Sequence, residues 1–171
     1  MKILVFSDSH GRPNNMQKAI EYHKDAQYLL HSGDGIKDIE LLKNAPDNII
    51  TANGNFEDCF FSLRKEKNYE TFEVCGKKFF MTHGHRYDVN FSMTRLIYSA
   101  LEHNADVIIY GHTHRKHLEY ISGEKLPFQR ENGLYIFNPG SISRPRDDVY
   151  SSYGIIEIQG NGVLLSHGII K

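Results

Sequence analysis

The sequence contains no Trp and only 2 Cys in 171 residues. So few cysteines exclude a disulfide-stapled scaffold and a Cys-rich zinc module. Charge of one sign is lacking too: 20 Lys+Arg against 21 Asp+Glu leave a net charge of −1. That balance excludes the wholesale basic surface that grips nucleic acid non-specifically. No segment approaches the ~18 apolar residues of a membrane span. The first apolar run, residues 3–6, is far too short for a secretory-signal core and gives way to Asp8. With neither export signal nor disulfide framework, a cytoplasmic protein is expected. Walker loops, G-x-G-x-x-G, G-x-S-x-G, internal repeats and low-complexity tracts are all missing. What is present is histidine, 10 of them, the commonest metal ligand and the side chain that titrates near neutrality. At this length, with 40% hydrophobic residues, a single domain over residues 1–171 with a substantial core is expected.

Residues 3–6, 28–30 and 49–52 read as short buried strands. Helices follow at Met16, Ala19, Ile20 and His23, and at Ile36, Ile39, Glu40 and Lys43. Residues 71–74 and 77–81 flank Cys75-Gly76 as a hairpin. Met93, Leu96, Ile97, Ala100 and Leu101 follow helical spacing and predict a helix over 91–103. Residues 107–110 form another buried strand. Thereafter the chain is β-rich, at 118–121, 134–137, 153–158 and 163–170, with a hairpin turn at Gly160-Asn161-Gly162. Helices early and hairpins late predict an α+β fold: two packed mixed sheets covered by helices, a four-layer α-β-β-α sandwich.

Five of these strands end on groups able to bind metal: Asp8-x-His10, Gly33-Asp34, Gly54-Asn55, Thr82-His83-Gly84-His85 and Gly111-His112-x-His114. Strand ends are where layered α/β proteins converge their loops over a rigid sheet. One such ending would be a cap or turn; five in a row are hard to explain by turn chemistry. The mixed oxygen and nitrogen donors, without thiolate, suit Mn²⁺, Fe or Zn²⁺ better than Ca²⁺ or a Cys-based zinc site. Seven ligands are too many for one ion and suit two ions sharing a carboxylate. His31 lies inside a strand and reads as a hydrogen-bonded core residue. His23, His103, His117 and His167 read as surface or helix-end residues, and Cys59 and Cys75 as buried thiols. Arg12, Arg86, Arg115, Lys116, Arg144 and Arg146 surround the motif loops, either as a solvated rim or as a local positive field for anionic phosphate, with Arg12 foremost.

In order and spacing, Asp8-Ser9-His10, Gly33-Asp34, Gly54-Asn55, His83 and Gly111-His112-Thr113-His114 resemble the signature of the calcineurin-like metallophosphoesterases. Asn138-Pro139-Gly140-Ser141 and Pro145-Arg146 are similar to the small bacterial and archaeal YfcE-type phosphodiesterase branch. The resemblance implies one metal held by Asp8, His10 and His114 and a second by Asn55, His83 and His112, with Asp34 bridging. It also implies a metal-bound hydroxide as nucleophile for small phosphodiesters. Two divalent ions are expected, Mn first, with Fe, Zn or Ni as alternatives. Many members carry His directly after the Asn; here Phe56 and Glu57 follow, as the YfcE-like branch also lacks that His. His85 is the nearest replacement by sequence.

Two other functions stay open. A retromer subunit resembles this branch with an incomplete metal site, so a protein-binding scaffold is one alternative, although no ligand is missing here. A nuclease is the other; near-neutral charge and the lack of a basic or aromatic nucleic-acid module weigh against it. Loops at 56–67 and 84–92 shape the pocket. The partner expected is a small phosphate ester, with no membrane, and oligomeric state stays open, a homo-oligomer among the options.

Overall fold

Consecutive apolar residues are what strands covered on both faces require, and the chain's shortest apolar runs become its central strands. The structure, a computed structural model, describes residues 1–60 and 69–171. In chain order its first half holds β1 (Lys2–Phe6), α1 (Asn14–Tyr22), β2 (Tyr28–His31), β3 (Asn48–Thr51), α2 (Asn55–Phe60), β4 (Glu70–Val74) and β5 (Lys77–Met81). The second half holds α3 (Thr94–Glu102), β6 (Val107–Ile109), β7 (Lys116–Ile121), β8 (Leu134–Pro139), β9 (Ser151–Gln159) and β10 (Gly162–Ile170).

The strands make two five-stranded sheets, β10-β9-β1-β2-β3 and β4-β5-β6-β8-β7. Each contains a parallel trio. In the first, β1-β2-β3 forms the middle and one side, and antiparallel β9 and β10 complete it; in the second, β5-β6-β8 is central and antiparallel β4 and β7 form the two edges. The inner faces meet through Ile3, Val5 and Leu30 on one side and Phe79, Met81, Ile109 and Phe137 on the other. Outside, α1 lays Met16, Ala19 and Ile20 against Leu4 and Phe6 of β1. On the opposite face α3 lays Leu96, Ala100 and Leu101 against Phe80, Ile108 and Ile136. The layer order is therefore α-β-β-α, as expected. No described helix is long and apolar enough to cross a membrane.

Four expectations need correction. The second predicted helix is a 3-10 turn, Ile36–Leu41, because Asp38 turns inward to Ser9 and Gly11 and breaks the helical face. The third predicted helix starts later, at Thr94: Asp88 takes a left-handed conformation, and Phe91, 92% exposed, never joins the apolar face. Cys59 and Cys75 are both exposed, one on α2 and the other in the turn between β4 and β5, where no core reaches. His167 is half-buried on β10, not a surface residue; its ring packs on Phe137 and its Nε2–H donates to the Asn138 carbonyl at 2.8 Å. In the predicted 56–67 loop, residues 56–60 belong to α2 and residues 61–67 lie outside those described.

Candidate metal centre

The parallel trios of the two sheets end at the same edge of the sandwich, so their connecting loops meet there. The loop after β1 carries Asp8 and His10, and the loop after β2 carries Asp34. The start of α2 carries Asn55. From the second sheet, the loop after β5 brings His83 and the loop after β6 brings His112 and His114. Backbone bonds lock neighbouring loops together: Asp8 N–H to Gly33 O and His10 N–H to Asp34 O at 3.0 Å, and Gly111 N–H to His83 O at 3.0 Å. The sheets themselves are joined through Asp8, whose Oδ2 accepts from Ser7 Oγ at 2.5 Å and from the His112 amide at 3.2 Å.

The backbone here is unusual. Asp8, His10, Asp34, His112 and His114 all have positive φ, between 46° and 67°. Non-glycine residues seldom adopt that region, and clusters of them mark sites where surrounding structure enforces strain. The enforcing contacts need room. A Cβ on Gly54 would fall 2.1 Å from Asp34 Oδ1, and one on Gly111 1.9 Å from Ser7 Oγ. The motif glycines are thus required for close approach of the loops.

All seven residues named from sequence come together. Asp8, His10 and His114 form one group whose donor atoms lie within 4.8 Å of one another, and Asp8, Asp34 and His83 form a second. Asp8 Oδ1 is 3.1 Å from His114 Nε2, and His10 Nε2 is 3.3 Å from His114 Nε2. Asp34 Oδ2 lies between His83 Nε2 at 3.5 Å and His10 Nε2 at 3.9 Å. Asn55 Oδ1 adjoins the second group, 3.2 Å from His83 Nε2 and 3.1 Å from His112 Nδ1.

Two observations fit this set to cations. Asp8 Oδ1 is buried with no amide or hydroxyl donor and faces only imidazole nitrogens, His114 Nε2 at 3.1 Å and those of His10 and His83 at 3.9 Å, a costly state for a carboxylate unless positive charge faces it. In addition, His83 Nδ1–H donates to Ser32 O at 2.8 Å and His114 Nδ1–H to Arg144 O at 2.7 Å. Those bonds leave each Nε2 lone pair aimed into the cluster, the arrangement that orients a ligating imidazole.

The electrostatics agree. Burial works against the Asp34 carboxylate, but the His83 imidazole, the Phe56 amide and His10 outweigh it and hold its pKa at about 2. Asp8 is also held below the usual carboxylate range: burial opposes this, and His114, His83 and Ser7 prevail. For His83 and His114 burial pushes downward, yet the facing carboxylates win and raise both. His112, facing His83, is pushed down to about 4, chiefly by burial.

Sequence reading missed a supporting layer. The buried Glu57 carboxylate accepts from four amides: Asp34 at 2.8 Å, Gly35 at 2.7 Å, Ile36 at 3.2 Å and Gly54 at 2.8 Å. It therefore joins the loop of Asp34 to that of Asn55. Asp38 accepts from Ser9 Oγ at 2.6 Å and from the Gly11 amide at 2.9 Å. Ser9 Oγ in turn is 3.1 Å from Nε2 of the buried His31. The only sequence signal for these roles was proximity to a motif, Asp38 four residues after Asp34 and Glu57 two after Asn55.

His85 sits beside the cluster, its ring 5.4 Å from that of His83 and 6.1 Å from that of His112. Its Nε2 is 2.9 Å from Asp58 Oδ2, which also pairs with Arg86 at 2.6 Å. In the expected cationic rim, Arg86 and Lys116 are thus engaged by acids, Lys116 by Asp148 at 2.9 Å. Arg12, Arg115, Arg144 and Arg146 are exposed.

Two packed mixed sheets with a carboxylate–imidazole cluster at their shared edge define the class, a metal-dependent phosphoester hydrolase. More particularly, the chain belongs to the calcineurin-like phosphoesterase superfamily, whose domain profile matches residues 1–161. Phosphodiesterase MJ0936 of Methanocaldococcus jannaschii is 31% identical over 154 residues, spanning 82% of this chain and 83% of that protein. Phosphodiesterase YfcE of Escherichia coli is 27% identical, spanning 92% of this chain and 88% of its own. Among solved structures, wild-type Vps29 of Entamoeba histolytica complexed with zinc shares the fold, with a TM-score of 0.69, 19% identity and 99% of each chain covered.

Proposed function

We propose that the protein is a dinuclear metal-dependent phosphodiesterase acting on small phosphodiesters. The observation that carries this reading is the buried Asp8 Oδ1 faced by the inward-turned imidazole nitrogens of His114 at 3.1 Å and of His10 and His83 at 3.9 Å. Asp8, His10 and His114 would hold one ion, and Asn55, His83 and His112 the other, with Asp34 between them. When bound, such ions act as Lewis acids and acidify water; Mn²⁺ is the ion proposed, with Fe, Zn or Ni as alternatives. The protein's own contribution is placement. Asp34 keeps one oxygen on the Phe56 amide at 2.8 Å and turns the other toward His83 and His10. The carbonyls of Ser32 and Arg144 hold two rings in the ligating tautomer. The names of the two phosphodiesterase relatives support the reaction class, and a net charge of −1 favours small esters over nucleic acid.

The test is metal content together with Mn²⁺-dependent hydrolysis of an activated aryl phosphodiester, for wild type and Asp34→Ala. Removing a group that only orients a ligand typically costs 10–100-fold, so loss of a central carboxylate is expected to cost at least ~100-fold. Activity that survives chelation, or that Asp34→Ala leaves intact, defeats the proposal. A protein-binding scaffold draws some support from the shared Vps29 fold. A purified protein that holds no metal and brings down a stoichiometric partner would favour that second reading.

A further inference from the structure

The segment that follows β8 is tied to the first ligand group from two sides. Ser141 Oγ and Ser143 Oγ both donate to the Asp8 carbonyl, at 2.9 and 2.8 Å. Ser141 Oγ also accepts from the Arg144 amide at 2.7 Å. The Arg144 carbonyl takes the His114 Nδ1–H at 2.7 Å, and the Arg146 amide donates to His114 O at 2.9 Å. Pro145 stands between the two arginines and stiffens the backbone there. Two cationic side chains are thus rooted in fixed backbone beside Asp8 and His114.

The ties from the arginines to His114 are made by main-chain atoms, which any residue could supply. Their side chains add charge, and it is felt within the ligand group, that of Arg144 at His10 and that of Arg146 at His114. Like charge beside a cation-binding cluster weakens it, so the fold alone gives no reason for two guanidiniums here. Among the described residues no acid offsets them. Both side chains are exposed, and Asp147 and Asp148 of the same segment are engaged by Lys116, at 3.8 and 2.9 Å. Nor does the scissile phosphate require them. Asp8 and Asp34 are the only anionic groups among the seven donors, so two divalent ions would leave the centre itself positive, enough for the single charge of a phosphodiester. What guanidiniums beside that centre match is a further anion, gripped through their forked N–H groups.

We propose that Arg144 and Arg146 form a subsite for a second anionic group of the substrate, a carboxylate or phosphate a few bonds from the scissile phosphorus. The inference rests on the phosphodiesterase reading and narrows its substrate class.

Calorimetric titration of the manganese-loaded protein with propylphosphonate, phosphonopropionate and propylene diphosphonate tests it, for wild type and the double variant Arg144→Gln, Arg146→Gln. The first ligand lacks a second anion; the others add a carboxylate or a phosphonate and so tell the two sources apart. Wild type is expected to bind at least one of the two-anion ligands about 10-fold or more tightly than propylphosphonate. In the double variant that ratio should fall to within about 2-fold. The Mn²⁺ affinity of the free protein should hold or rise, because the arginines repel cations. A wild-type ratio below about 5-fold for both ligands, or one that survives the substitutions, overturns the subsite and leaves the phosphodiesterase reading standing. An equal loss for all three ligands, the mark of a general field, does the same. A fall in Mn²⁺ affinity, the mark of side chains that merely support the loop, does so too. Failure of all three to bind the loaded wild type overturns the phosphodiesterase reading, and the subsite with it.

Discussion

Glu57 shows how much one carboxylate can organise without touching a ligand. Four amides from two loops converge on it, and hydrogen bonds to a charged acceptor are worth ~1.5–3 kcal/mol each. Replacing it by Ala strands those amides in a buried setting, and we expect a loss of about 3 kcal/mol or more. For a chain of this size that corresponds to a Tm lower by roughly 6–12 °C, with weaker metal binding in a titration. A Tm within about 2 °C of wild type would show that water replaces the carboxylate without penalty. His31 acts through its charge state. Its Nδ1 accepts from the Gly33 amide at 3.2 Å, which requires an unprotonated nitrogen. Burial pushes its pKa down to about 4. Because the folded value lies below the unfolded one of ~6.5, the associated stability is complete above about pH 6.5 and is lost as pH falls toward about 4. His31→Gln, which cannot charge, should show a flatter Tm-versus-pH curve across that window; parallel curves would refute the assignment. At this scale the seven donors were legible because each is a polar residue closing an apolar run. The roles of Glu57 and Asp38 and the positive φ of five of those donors were not, since long-range amide acceptance and backbone strain leave no local pattern.

Loops fix the relative positions of six of the seven donors, Asn55 at the start of α2 being the exception, and they take their shape from the elements they cap. The loop of His112 and His114 is held from β8. The buried Asn138 donates through Nδ2 to Gly111 O at 2.9 Å and to Thr113 Oγ1 at 3.1 Å, while its Oδ1 accepts from the Gly140 amide at 2.9 Å. Asn138→Ala should leave both sheets paired and loosen this loop. The expected outcome is a 10–100-fold loss of metal affinity with unchanged far-ultraviolet circular dichroism. Unaltered affinity would mean that the β6 end alone suffices to place the two histidines. Strands could be read from sequence because burial on both faces demands uninterrupted apolar runs such as residues 3–6. The hairpin at Cys75-Gly76 was equally plain, both residues having positive φ as a tight two-residue turn requires. Helix limits were harder to read. The spacing of Ile36, Ile39, Glu40 and Lys43 resembles an α-helix, but Asp38 has a partner 29 residues away in Ser9, and that tertiary contact decides the local form.

For the whole molecule, the two sheets serve to carry charges that would repel if left alone. Asp8 and Asp34 both face His83, at 3.9 and 3.5 Å, although the chain's net charge is only −1. Composition therefore excluded a basic binder but could not show this local concentration of acid, which exists only once β1, β2, β5 and β6 end together. Without metal, protons on His83 and His114 offset the carboxylates, and both pKa values are raised even though burial opposes the shift. A raised value means that this stabilisation is present below the unfolded ~6.5 and is lost as pH rises through the folded value. Metal ions compete for the same lone pairs, so proton and metal stabilise the fold in opposite pH ranges. A ligand at 100 times its Kd adds ~2.7 kcal/mol per site, or roughly 5–10 °C in Tm for a domain of this length. Thermal melts with Mn²⁺ and with chelator should therefore diverge at about pH 8 and draw together toward about pH 6. An increment that is constant with pH, or absent, would mean that the cluster holds its charges without cations.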